Sequence, residues 1–101
     1  MFVLMRVIVT GNRNWYAPDL AEQVVSRLLV RYGPGLVIVH GGATGIDRSF
    51  AEVCDDLGVE QEAHPARWEE LDVPGAGIPT YLISSDAAEP RRLVAEDERL
   101  R

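Results

Sequence analysis

Lysine is absent from this 101-residue sequence: all ten basic side chains are arginine, and sixteen acidic ones outnumber them, for a net charge of −6 at pH 7. A chain of that sign is repelled by the phosphate backbone, so nonspecific duplex binding is not expected. Single-stranded DNA binding is disfavoured on the same ground. Cysteine occurs once, as Cys54, which supplies neither a disulfide framework nor a cysteine zinc site and predicts a cytoplasmic protein. Long apolar runs are missing too. The apolar start is broken by Arg6 and is too short to cross a bilayer or to read as a secretory signal, so no membrane association is expected.

What is present is an apolar fraction of 47%, enough for one core without metal or disulfide support. The length predicts one domain over residues 1–101, with a core at 1–77 and a divergent stretch at 78–101. The charge is unevenly placed. Residues 1–50 hold five arginines and three acids (5 − 3 = +2), and residues 51–101 hold five arginines and thirteen acids (5 − 13 = −8). An anionic ligand belongs with the first half.

Residues 2–10 are dense in Val, Ile and Leu and stop at Gly11, as a strand buried on both faces does. Pro18 then opens a helix, with Asp19 and Glu22 suited to its first turn. Leu20, Val24, Val25, Leu28, Leu29 and Tyr32 keep helical spacing until Gly33-Pro34-Gly35. Leu36-Val37-Ile38-Val39-His40 is a second short strand. A second helix follows, with Ile46, Phe50, Val53, Cys54 and Leu57 facing inward and Gly58 ending it. Residues 59–63 give a third strand whose glutamates suit an edge. After a loop at 64–79, residues 80–84 predict a fourth strand. Ser85 or Asp86 then caps a last helix with Pro90 in its first turn and Leu93, Val94 and Leu100 inward. The alternation implies an α/β, Rossmann-like open parallel sheet of about four strands flanked by helices, shortened at its C-terminal end.

In such sheets ligands bind outside the carboxyl ends of the strands. Two glycine-bearing loops lie there, and if their strands are neighbours they share one edge. The first carries Gly11, Asn12 and Arg13, whose planar guanidinium suits phosphate, followed by Trp15 and Tyr16. Tyr16 is a candidate for stacking on a base, and Trp15 is more simply read as packing over the first helix. The second runs His40-Gly41-Gly42-Ala43-Thr44-Gly45-Ile46-Asp47. Its glycines permit close backbone approach, and the helix that follows offers unpaired N–H groups to an anion. No lysine follows them, so a magnesium-bound nucleoside triphosphate is not implied. A competing reading makes Thr44 and Asp47 a capping box. If both roles hold, phosphate sits near Gly41 and Gly42 while Asp47 accepts from a ribose hydroxyl. His40 and His64 read as satisfied half-buried histidines, and no metal site is expected.

Gly11-Asn12-Arg13, the run from Val39 to Asp47, and His64-Pro65-Ala66-Arg67-Trp68 together resemble the YspA-like branch of the SLOG superfamily, Rossmann-like domains that also include the DprA and LOG proteins. The resemblance covers about residues 5–77. It implies a nucleotide or nucleotide-derived ligand, with Gly11, Arg13, Gly41, Gly42, Thr44, Gly45 and Asp47 on the ligand-facing edge. Two departures stand out. Ala76-Gly77-Ile78-Pro79-Thr80-Tyr81 lacks the Arg-Asn that usually follows this small pair, and the LOG enzymes' Pro-Gly-Gly-x-Gly-Thr-x-x-Glu motif is absent.

Three functional expectations result. The first is a nucleotide-ligand-binding domain with a sensor or accessory role and no required cofactor, whose ligand edge comprises Gly11, Asn12, Arg13, His40, Gly41, Gly42, Thr44, Gly45 and Asp47. The second is a nucleotide hydrolase of phosphoribohydrolase type, in which Asp47 activates water. The third is a protein-interaction module or homodimer that covers the sheet edges.

Overall fold

The computed structural model describes residues 4–64, 80–85 and 88–95. Five strands and two α-helices run in the order β1 (Met5–Val9), α1 (Pro18–Tyr32), β2 (Leu36–His40), α2 (Ile46–Leu57), β3 (Glu60–Ala63), β4 (Thr80–Ser85) and β5 (Leu93–Ala95). The sheet order is β3-β2-β1-β4-β5, parallel except for the β4–β5 pair. This is the expected α/β, Rossmann-like arrangement, with one more strand than anticipated. β1 sits at the centre because its apolar run lets both faces be covered. Met5, Val7 and Val9 alternate with Arg6 and Ile8 across the pleat.

Met5, Val7 and Val9 join Leu36 and Ile38 of β2, Ala21, Val25 and Leu28 of α1, and Ile46, Phe50, Val53 and Cys54 of α2 in one buried cluster. Both described helices therefore pack on one face. The opposite face carries a smaller cluster of Val37, Val39 and Ile8. Arg6 lies on that side, 7% exposed, with its guanidinium 3.4 Å from Glu62 of β3. α1 begins as expected at Pro18, with Asp19 in its first turn, and ends at Gly33. The helical spacing of α2 holds up to Val53 and Cys54, but Leu57 remains 42% exposed because the helix ends there.

The sequence expectation fails at the C-terminal side. Residues 93–95 form a strand antiparallel to β4, with Ser84 opposite Val94 and Ser85 opposite Leu93, instead of a helix carrying Leu93 and Val94 inward. β4 would otherwise leave a row of backbone donors and acceptors unpaired on its outer edge. Leu93 and the β-branched Val94 suit that ladder, and Pro90 falls in the turn leading to it. Ser85 ends β4 instead of capping a helix. Trp68, the Ala76-Gly77 pair and Leu100 lie outside the described residues. Among those residues no helix is long and apolar enough to cross a membrane.

Candidate functional site

Two loops leave the carboxyl ends of β1 and β2 and meet. The Ile46 amide donates to Asn12 O at 3.2 Å, and the Thr44 hydroxyl donates to Arg13 O at 2.9 Å. Gly11 and Gly45 make this possible. A Cβ on Gly11 would lie 2.8 Å from Ile46 Cβ, and one on Gly45 would lie 2.4 Å from Asn12 O. These two glycines thus admit protein backbone and side chain, whereas the sequence alone suggested room for a ligand. Asn12 is anchored in the junction. Its amide donates to Ser85 Oγ at 2.8 Å, and its Oδ1 accepts from the Asn14 amide at 2.8 Å.

Ser49, fully buried on α2, ties the same junction to α1. Its hydroxyl donates to Gly45 O at 2.8 Å and accepts from the Ala17 amide at 2.8 Å, which serves the N-terminal end of a helix without a side-chain cap. Trp15 packs against the main core cluster, as its simpler reading anticipated, while Tyr16 stays 54% exposed.

The glycine loop after β2 is closed by the protein's own groups. Asp47 Oδ2 accepts from the Gly41 amide at 3.1 Å and the Ala43 amide at 3.3 Å, and the Gly42 amide donates to His40 Nδ1 at 3.1 Å. With Nδ1 accepting, His40 donates through Nε2 to Gln61 Oε1 at 2.8 Å. The capping box does not form. The N-cap residue is Gly45, at φ 73°, without any side-chain cap, because the close approach of Asn12 and Arg13 turns the chain there. Asp47 instead folds back over the preceding loop. It is 5% exposed, and its Oδ1 is buried without a partner. In this arrangement Oδ2 is taken up by two amides and Oδ1 is enclosed, so the carboxylate serves the loop.

The Gly41, Gly42 and Ala43 amides are thus engaged, and the donors left over lie at the start of α2. Ser49 is the first α2 residue whose amide finds a backbone acceptor of the helical pattern, at Gly45 O. The Asp47 and Arg48 amides have no acceptor among the described residues, as the first turn of a helix dictates. Beside this helix start lies a cleft of about 450 Å³ lined by Arg13, Asn14, Tyr16, Thr44, Gly45 and Arg48, within the size range of small-molecule sites. Arg13 has no side-chain partner among the described residues. Arg48 uses Nε for Glu52 Oε2, at 2.9 Å.

Of the nine residues singled out in the sequence, Arg13, Thr44 and Gly45 line this cleft. Gly11, Asn12, His40, Gly41 and Asp47 do not line it but belong to the two loops that meet behind it, and Gly42 is exposed. Arg48 and Glu52 were not anticipated. Their i,i+4 spacing on a helix was the available signal.

Glu52 also accepts from the Tyr16 hydroxyl. That bond holds the Glu52 carboxyl below its ordinary range, with Arg48 adding to the effect, and raises the Tyr16 phenol. Cys54, buried in the core beside Asp55, has its thiol pushed up to about 12, chiefly by burial, and reads as inert packing.

A family model described as the YspA, cpYpsA-related SLOG family (YAcAr) matches residues 5–70. The "Gene 61 protein" of Mycobacterium phage D29 is 34% identical over 71 residues, covering 65% of this chain and 57% of that protein. The chain therefore spans little more than half the length of that relative. No solved structure matches it.

Proposed function

Since the chain belongs to the YspA, cpYpsA-related SLOG family, we propose that the cleft at the start of α2 binds a nucleotide or nucleotide-derived ligand, in a sensor or accessory role. One observation carries this reading. Arg13 from the first loop and Arg48 from α2 line the same cleft, at the start of α2, where the Arg48 amide has no acceptor among the described residues. Two guanidinium forks and a helix N-terminus converging on one space suit phosphate. The phosphate position differs from the one expected at Gly41 and Gly42, whose amides are already engaged.

Binding by this arrangement needs no metal, since arginine and backbone N–H groups supply the positive charge. Asp47 and His40 act by holding the glycine loop in shape. The experiment is a titration with AMP, ADP-ribose and NAD, followed by tryptophan fluorescence and thermal shift, on the wild type and Arg13→Ala. Saturable binding that weakens at least tenfold in Arg13→Ala, roughly one charged hydrogen-bonded contact, supports the reading. No response from the wild type, or equal binding by both proteins, refutes it.

A further inference from the structure

The outer wall of the cleft joins two parts of the chain through one carboxylate. Tyr16, ahead of α1, donates its hydroxyl to Glu52 Oε1, and Arg48, one turn before Glu52 on α2, donates Nε to Glu52 Oε2. Glu52 itself does not line the cleft, but both of its partners do. An exposed tyrosine ordinarily changes rotamer on the picosecond to nanosecond scale. Here the hydroxyl is tied down while the ring, 54% exposed, stays accessible. Using Nε for Glu52 leaves the two terminal nitrogens of Arg48 without a partner among the described residues, and these form the fork that grips a phosphate in parallel.

Resting on the reading above, we infer that Glu52 is a positioning residue that sets Tyr16 and Arg48 as one recognition unit, selecting a ligand with a flat base and an anionic group, a nucleoside phosphate, over a bare polyphosphate. The ring supplies a stacking surface and the guanidinium an anion contact. Ordering a mobile side chain on binding weakens affinity by about 2- to 12-fold, and the shared carboxylate removes that penalty for both partners before the ligand arrives. Inorganic pyrophosphate, having no base, gains nothing from the ring.

The test measures ADP and inorganic pyrophosphate affinity by calorimetry for the wild type, Glu52→Ala, Tyr16→Phe and the double variant. Glu52 is at the helix surface and alanine keeps helical propensity, so the fold tolerates the change. Each single variant is expected to weaken ADP by about threefold to tenfold, and pyrophosphate by less, since it loses nothing at the ring. The double variant should be no weaker than the singles, because both remove one device. Phenol absorbance, read as the difference from Tyr16→Phe, should place the Tyr16 ionisation above its ordinary 10.0 in the wild type and lower it in Glu52→Ala. An unchanged preference for ADP over pyrophosphate in Glu52→Ala overturns this inference and leaves the binding reading standing. Failure of the wild type to bind either probe overturns both.

Discussion

Alanine at Gly45 would collide with backbone of the facing loop. The added Cβ would lie 2.4 Å from Asn12 O, 2.5 Å from the Arg13 carbonyl carbon and 2.6 Å from Arg13 O. These are backbone atoms, held by the Ile46 amide and the Thr44 hydroxyl, so no flexible side-chain end can swing aside. Overpacking of this kind costs about 1–3 kcal/mol. The backbone at φ 73°, ψ −123° adds about 1–3 kcal/mol for any residue with a Cβ. The sum, about 2–6 kcal/mol, is a large part of the roughly 5–15 kcal/mol that stabilises a domain. At a midpoint of about 4 kcal/mol the melting temperature should fall by roughly 15–30 °C. Gly42→Ala is the matched control, since Gly42 has φ 72° but nothing within 4 Å of its Cβ position, leaving only a conformational cost of about 1–2 kcal/mol. Urea and thermal unfolding followed by circular dichroism measure both. A Gly45→Ala cost below about 1 kcal/mol, or one no larger than that of Gly42→Ala, would refute the claim that the two loops dock through this glycine.

Two further outcomes follow from buried groups. Ser49→Ala removes the acceptor of the Ala17 amide and should destabilise by about 1–3 kcal/mol, read as a lower urea midpoint at constant slope; a change under about 0.5 kcal/mol would mean that the junction does not depend on this hydroxyl. Cys54 ionises near 9.0 ordinarily and near 12 in the folded state. The folded value is raised, so its contribution is complete below pH 9 and is lost as pH rises from 9 towards 12, at about 1.4 kcal/mol per pH unit. The slope of stability against pH in that window should flatten in Cys54→Ala, and an identical slope in both proteins would contradict the assignment.

The parts of the fold governed by local periodicity were legible. β1, α1, β2 and α2 show their boundaries through Pro18, Gly33 and Gly58 and their inward faces through spacing. The edge position of β3 showed in Glu60 and Glu62. β5 is hidden from local reading because Ser85, Asp86 and Pro90 make a plausible helix start, and only the open edge of β4 decides otherwise. Thr44 and Asp47 posed the same kind of problem. Their spacing fits a capping box, but the φ of Gly45 is set by Asn12 and Arg13, more than thirty positions earlier in the chain, and that turn sends the Asp47 carboxylate to Gly41 and Ala43. Arg13 was legible as an anion-binding candidate because a loop arginine at a strand's carboxyl end has few structural duties. The Tyr16–Glu52 contact was not, since nothing local relates residues on separate elements.

That an anion lands in the cleft at the start of α2 is the claim on which the proposed function depends. Amide chemical-shift mapping in a ¹⁵N-labelled sample titrated with ADP answers this directly. The largest shifts should fall on Arg13, Tyr16, Thr44, Gly45, Asp47 and Arg48, with Arg13→Ala abolishing most of them. Shifts centred on the opposite end of the sheet, around Leu57 and Val59, or no shifts at millimolar ADP, would contradict it.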